Sequence, residues 1–208
     1  MLSESIPKKI LFVLPTLHAG GSENYALRFI RFSRGLEVDW HVWSANTKRG
    51  DLHDLFEEAG CHIHYGSIGY YHPKRFYRFY RFLKQESFDA VCTFNGNFGG
   101  VALTIARLAG VGCRIAWHRR STNAFGENLF KLLFNKLVNS LVRWHATKIL
   151  SNSKYALEQF YPGYWEKDSR FKIIPNGVDA SLVQTDLTQE EARKQLGVKL
   201  NAKIIGNV

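Results

Sequence analysis

The chain has 208 residues, of which 45% are hydrophobic and 22% are charged, and its formal net charge is +10. This composition excludes a disordered or fibrous protein, and the length suffices for one α/β domain with part of a second but not for two full-sized domains. No apolar run approaches the ~20 residues of a membrane-spanning helix, so we expect a cytoplasmic protein. The positive charge favours an anionic partner such as nucleic acid, an acidic membrane leaflet or a phosphorylated substrate.

Apolar, β-rich runs alternate with segments of helical periodicity along the first three quarters of the chain. Strands joined by helices of this length indicate βαβ crossovers and therefore a largely parallel sheet that is covered on both faces. We predict a Rossmann-like, doubly wound α/β domain with a mostly parallel sheet. The predicted strands are residues 9–14, 38–44, 62–66, 90–94, 114–117 and 148–150, and the predicted helices are residues 23–34, 51–59, 73–85, 99–108, 127–145 and 154–161.

The pattern changes after residue 161. Residues 170–182 predict a short strand that ends in a Pro-Asn-Gly turn, because proline cannot continue a ladder and glycine accepts a positive φ. A charged helix follows, and residues 201–208 predict the first strand of a new unit at the point where the sequence stops. We therefore expect an N-terminal domain of residues 1–175, followed in residues 176–208 by a linker and the beginning of a truncated second domain.

Two adjacent glycines, Gly20 and Gly21, lie between the first predicted strand and the first predicted helix. In a doubly wound sheet this loop is the usual seat of a phosphate group. Glycines let an anion approach the main chain, and the free N–H groups and dipole of the following helix favour negative charge. A tight strand-to-helix turn without any ligand is the alternative that these residues leave open.

Three better-known glycine motifs do not fit. The patterns G-x-G-x-x-G and G-x-x-x-x-G-K-[ST] do not occur at this turn, and no acidic residue that could hold the ribose of NAD ends the second predicted strand. The segment GGSEN differs from the G-x-S-x-G nucleophile elbow because Asn24 stands where the second glycine belongs. We therefore do not expect Ser22 to be a nucleophile.

A set of short motifs follows in order along the chain. They are GGSE at 20–23, RIAWH at 114–118, ILSNSKYALEQF at 149–160, KIIPNGVD at 172–179, and LGV at 196–198 with KIIGNV at 203–208. In this order they resemble the N-terminal half of the retaining GT-B glycosyltransferases of family 4, a group with many bacterial capsule and lipopolysaccharide sugar transferases. The resemblance covers essentially the whole chain.

The resemblance implies two domains that bind different substrates. The N-terminal domain mainly binds the acceptor, which is a glycan or a lipid-linked sugar, and the C-terminal domain binds the nucleotide-sugar donor, a UDP- or GDP-sugar. No cofactor and no metal belong to the usual mechanism. The donor-binding E-x7-E pair lies in the second domain, so we expect these residues alone not to transfer sugar. A stand-alone Rossmann-like module that binds a phosphorylated ligand is the alternative, and the continuation of the gene distinguishes the two.

The resemblance also implies roles for individual residues. His118 is the candidate catalytic residue beside the reacting sugar, Gly20 and Gly21 bind the donor phosphate, Glu23, Asn95, Asn97 and Arg119 are candidate acceptor-binding residues, and Asn176 and Gly177 form the hinge. Two simpler interpretations remain open. His118 can be a hydrogen-bonded strand-end histidine whose pKa the neighbouring Arg119 and Arg120 lower, and Glu23 can be a carboxylate that stabilises the first turn of a helix.

The stretch from Tyr70 to Lys84, residues 70–84, is unusually rich in basic and aromatic residues. Its helical periodicity places four apolar side chains on one face and the cations around the remainder. One interpretation is a helix that packs on the sheet with a solvated rim, and the other is peripheral attachment to the anionic inner face of the cell membrane. We predict no nucleic-acid partner, because no recognised nucleic-acid-binding fold accompanies the charge.

Two histidines, His62 and His64, alternate onto one face of a predicted strand. Such a pair can reach a metal ion, but no third ligand stands at a plausible spacing in the sequence. We therefore predict structural histidines and no metal.

Overall fold

The computed structural model describes residues 8–68, 72–94, 96–120, 129–177 and 185–204. Within these residues, seven strands form one sheet with helices between them. The strands are β1 (Lys8–Leu14), β2 (Val38–Ser44), β3 (His62–Tyr65), β4 (Ala90–Thr93), β5 (Cys113–His118), β6 (Lys148–Ser151) and β7 (Phe171–Ile173). The α-helices are α1 (Gly21–Phe32), α2 (His53–Glu58), α3 (Pro73–Glu86), α4 (Gly99–Leu108), α5 (Leu129–His145), α6 (Lys154–Phe160) and α7 (Gln189–Gln195), and Gly96–Phe98 and Trp165–Lys167 are single 3-10 turns.

The sheet has the strand order β3-β2-β1-β4-β5-β6-β7, and every pair of neighbouring strands is parallel. The predicted doubly wound α/β fold is therefore confirmed. The order reverses between β1 and β4, so the connections that leave these two strands run in opposite directions across the sheet. A crevice at the carboxyl ends of the strands at such a reversal is the usual ligand site of this fold.

Both faces of the sheet are buried. On β1, Phe12 and Leu14 pack with residues of α1 and α2, whereas Leu11 and Val13 point to the opposite face and pack with residues of α3 and α4. A strand that is apolar on both sides shows no alternation with polar residues. This burial explains the continuous apolar run that identified β1 in the sequence.

One difference between the observed and the predicted helix boundaries affects the candidate site: the start of α1. This helix begins at Gly21, two residues before the predicted start, and Gly20 is the extended residue that precedes it, with φ −150° and ψ 166°. Glycine is a poor helix former, and the prediction from helix propensity therefore began the helix after Gly21. The second glycine therefore belongs to the helix.

The chain divides into two compact units, Met1–Pro175 and Asn176–Val208. In the second unit, α7 begins with a capping box in which the Thr188 side chain accepts a hydrogen bond from the Glu191 N–H and the Glu191 carboxylate accepts one from the Thr188 N–H. Residues 201–204 belong to no strand and residues 205–208 lie outside the described part. The predicted strand there, and the roles of the two units, stay predictions.

None of the helices that the structure describes combines the length and the apolar character that a membrane crossing requires.

Candidate functional site

The two glycines of the turn after β1 have different surroundings. A Cβ atom built on Gly20 would lie 2.5 Å from Oε2 of Glu23, whereas a Cβ atom on Gly21 would meet no atom within 4 Å. A side chain at position 20 would therefore require the Glu23 carboxylate to move. At Gly21 the backbone faces open space, where a ligand can approach.

Glu23 folds back over the start of α1. Its carboxylate accepts hydrogen bonds from its own N–H and from the N–H and hydroxyl of Thr16. The residue is 7% exposed, and burial raises the pKa of the Glu23 carboxyl, although these hydrogen bonds and the charge of Arg120 act in the opposite direction. A carboxylate in the first turn of a helix is stabilised by the helix dipole. Glu23 thus shapes the turn, and its predicted contact with the acceptor stays a prediction.

The loop that carries the two glycines rests on the loop between β2 and α2. A Cβ atom on Gly50 would clash with backbone atoms of Leu17 and His18, and the Leu52 N–H donates a hydrogen bond of 2.9 Å to the Leu17 carbonyl. At the same place, His18 Nδ1 lies 3.2 Å from Oδ2 of Asp51. Sequence analysis missed Gly50, because no local pattern shows which backbone will lie against a distant glycine.

The carboxyl end of β5 brings two cations to α1. The guanidinium carbon of Arg119 lies 3.8 Å from the ring centroid of Tyr25, whose ring packs edge-on against Trp117 at 5.1 Å. Arg120 is exposed and close enough to lower the pKa of the Glu23 carboxyl. Two cations therefore lie beside the first turn of α1, together with the Glu23 carboxylate, and cations near a site favour an anionic ligand.

His118 ends β5 and is 1% exposed. Its Nε2 atom lies 2.9 Å from the Tyr161 hydroxyl, and its Nδ1 atom has no hydrogen-bond partner among the residues that the structure describes. Burial lowers the pKa of His118 to about 4, so the imidazole is neutral at neutral pH. The expected direction of the shift is correct, but its expected cause is wrong, because desolvation rather than repulsion by Arg119 and Arg120 is responsible.

The remaining candidates lie near the strand ends or at the boundary between the two units. Asn95 lies outside the described residues. The backbone of Asn97 lies in the 3-10 turn after β4, and β4 is the neighbour of β1 in the sheet. Asn176 and Gly177 are exposed and outside any helix or strand, directly after the boundary at Pro175. The fold therefore brings the glycine turn and the turn after β4 to the same edge of the sheet, and the predicted hinge role of Asn176 and Gly177 stays a prediction.

Solved structures share this fold at low sequence identity. The HepE protein of Anabaena, in a structure with UDP and glucose, superimposes with a TM-score of 0.66 and 19% identity over 91% of this chain and 50% of its own. A glycosyltransferase of Rickettsia africae superimposes with a TM-score of 0.64 and 15% identity over 94% of this chain and 51% of its own. These similarities establish the Rossmann-like fold of GT-B glycosyltransferases.

Sequence comparisons identify the family. The chain is 25% identical over 192 residues to the capsular polysaccharide biosynthesis glycosyltransferase CapH of Staphylococcus aureus, which covers 88% of this chain and 51% of CapH. The chain therefore spans about half the length of the curated relative that it matches. The model of Glycosyltransferase Family 4 matches residues 19–182, from the glycine turn to beyond β7. The chain belongs to Glycosyltransferase Family 4.

Proposed function

We propose that this chain is the acceptor-side half of a retaining glycosyltransferase, which moves a sugar from a UDP- or GDP-sugar to a glycan or lipid-linked acceptor in the synthesis of a cell-surface polysaccharide. In this reaction the bond between the anomeric carbon and the diphosphate breaks, the acceptor oxygen bonds to that carbon, and the nucleoside diphosphate leaves. The proton of the acceptor hydroxyl passes to an oxygen of the departing diphosphate, so charge and atoms balance.

One observation carries the proposal: in a chain of this family, the backbone at Gly21 begins a helix and faces open space at the crevice. Helix N–H groups and the helix dipole stabilise an anion there, and charge grows on the diphosphate as the sugar leaves. Exposed Arg120 adds a cation beside the same turn. The match to CapH, whose name places that protein in capsular polysaccharide biosynthesis, supports the choice of product.

The roles of the other residues follow from their positions. We assign His118 to the side of the reacting sugar. Its Nε2 contacts the Tyr161 hydroxyl and its Nδ1 is buried, so a contact between Nδ1 and a sugar requires the residues that cover it to move. A neutral imidazole can accept a hydrogen bond from a sugar hydroxyl or donate one to it. Arg119, Glu23, Asn95 and Asn97 remain the proposed contacts of the acceptor. Binding of the nucleotide is assigned to a second domain, so we expect turnover to require that domain.

The test is a transfer assay with the full-length protein. We expect release of UDP or GDP from one nucleotide-sugar of a panel only when a glycan or lipid-linked acceptor is added, and a product whose anomeric configuration, read by NMR, matches the donor. Binding of nucleotide-sugars without transfer to any acceptor would instead support a stand-alone binding module. An inverted product would overturn the retaining assignment alone.

The exposed surface of helix α3 is relevant to where the acceptor is located. Its apolar face is used inside the domain, since Phe79 and Leu83 are buried in the core. Its basic side chains are exposed: Lys74, Arg75, Arg78, Arg81 and Lys84. Tyr70, where the stretch begins, lies outside the described residues. We therefore propose an electrostatic contact of α3 with an anionic membrane surface, without insertion of the apolar face, as suits an enzyme that uses a lipid-linked acceptor.

Vesicle cosedimentation tests this contact. Each cation near an anionic surface contributes about 1 kcal/mol, so replacing Lys74, Arg78 and Arg81 together by Gln should weaken binding to anionic vesicles roughly 100-fold at low salt. The control replaces Lys148, Lys167 and Lys172, which are also exposed, and has the same net charge. Equal losses in the two variants would show that net charge alone acts, and equal binding to neutral vesicles would exclude the contact.

A further inference from the structure

A cluster of histidines and one aspartate lies on β2 and β3, which end the sheet on one side. His41 of β2 is directly opposite His62 of β3 in the sheet register, and Asp39 lies two residues before His41. Asp39 is the second residue of β2 and His41 is its midpoint, so neither lies at the carboxyl end of the strand, where the glycine turn lies. We propose that Asp39, His41 and His62 bind a divalent cation of the zinc class.

The three side chains converge. Oδ2 of Asp39 lies 3.2 Å from Nε2 of His41, and Oδ1 of Asp39 lies 3.5 Å from Nε2 of His62. The three candidate ligand atoms all lie within 4.8 Å of one another. A zinc ion requires ligand atoms at about 2.0–2.2 Å, which small side-chain rotations provide at this spacing. Two imidazoles and one carboxylate leave a fourth tetrahedral position for water.

A fourth residue orients one of the ligands. Nδ1 of His41 lies 2.9 Å from Nε2 of His64, and the two rings are parallel with centroids 5.2 Å apart. If Nδ1 of His41 donates its hydrogen to His64, the lone pair of its Nε2 atom points towards Asp39. Metal-binding histidines usually make such a hydrogen bond through the second ring nitrogen, which holds the ring in place. His64 is therefore the positioning residue of the proposed site.

The surroundings permit a cation to enter and remain. The His62 side chain is 66% exposed and the Asp39 side chain 31% exposed, so an ion reaches the cluster from solvent. Lys9, whose charge acts on His41, forms an ion pair with Glu86 at 2.5 Å, which balances its positive charge. Imidazole and carboxylate together suit zinc better than calcium or magnesium, which prefer oxygen ligands.

A second group, His53, Asp54 and Glu57 on α2, also brings three candidate ligands together. Its members have other partners, because Asp54 forms an ion pair with Arg49 and Nδ1 of His53 lies 2.7 Å from the Tyr65 hydroxyl. A metal would have to displace the Arg49 contact. This group therefore serves as the control.

The experiment titrates Co²⁺ into the full chain, purified without a histidine tag, and follows visible absorption. We expect one Co²⁺ ion with the spectrum of a tetrahedral site, displaced by one equivalent of Zn²⁺. His62→Ala and Asp39→Asn should each weaken binding at least about tenfold, and His64→Phe, which keeps an aromatic ring, about 10- to 100-fold. His53→Ala should leave the affinity unchanged.

Thermal unfolding gives a second measurement, since an ion that binds only the folded state raises Tm. We expect Zn²⁺ to raise the Tm of the unaltered chain and of His53→Ala but not that of His62→Ala. Absence of a Co²⁺ spectrum with the ion in excess would overturn the proposal. It would equally be overturned if His62→Ala and Asp39→Asn, both folded, bound Co²⁺ as before, or if only His53→Ala lost the site.

Discussion

Gly21→Val should lower kcat/KM for sugar transfer by the full-length enzyme at least about 100-fold, the loss that follows removal of one donor from an anion-stabilising site. The valine side chain would occupy the open space at Gly21 through which, in our proposal, the diphosphate approaches the main chain. The domain itself should tolerate the change. A Cβ atom at Gly21 meets no atom within 4 Å, the residue has no positive φ, and valine forms helix better than glycine.

Gly112→Val is the matched control. Gly112 has the same open surroundings and no positive φ, but it precedes β5 and so lies at the amino end of the sheet. Both variants should keep the Tm of the unaltered protein, and only Gly21→Val should lose activity. If Gly21→Val transfers sugar normally, or if Gly112→Val loses as much, the assignment of the donor phosphate to this turn is wrong.

The folded protein should lose stability as the pH falls from about 6.5 to about 4, and His118 should account for about 3 kcal/mol of the loss. The pKa of His118 is about 4 in the folded state, below its ordinary value of 6.5. In this window the unfolded chain therefore binds more protons than the folded one. The contribution of neutral His118 is complete above pH 6.5 and disappears as the pH falls towards the folded-state pKa.

His118→Gln tests this value, because glutamine retains hydrogen-bonding groups near the Tyr161 hydroxyl but does not titrate. The free energy of unfolding is measured by urea denaturation at several pH values for both proteins. Burial also lowers the pKa of His41 and raises that of Glu23, so both proteins will show further pH dependence that cancels in their difference. His72→Gln, at an exposed position, is the control. A difference between His118→Gln and the unaltered protein that stays constant from pH 7 to pH 4 would contradict the prediction.

The sequence was sufficient for the fold because the signals were local. Buried strands such as β1 and β4 appear as apolar runs, and their alternation with helices determines the doubly wound topology. The resemblance to family 4 also came from contiguous motifs, and the family match covers those that lie between residues 19 and 182. Helix α3 was predicted to within one residue of its observed end, because its apolar side chains keep helical spacing.

Contacts between distant segments could not be predicted in this way. Gly20 and Glu23 are close in sequence, but only the folded turn shows that a side chain at position 20 would meet the Glu23 carboxylate. Asp39 and His41 were not associated with His62, because the register between β2 and β3 brings them together. The cause of the His118 shift was also beyond the sequence, since burial depends on the packing of Phe160 and Tyr161.

The contact between Gly50 and the backbone of Leu17 and His18 has a consequence for binding. The loop that leads to Gly21 is held in place by the backbone around Gly50 and by the hydrogen bond from the Leu52 N–H to the Leu17 carbonyl. A ligand that binds there does not have to order the loop, so little of its interaction energy is lost to conformational entropy. In our proposal, the wall that receives the donor phosphate is therefore preorganised.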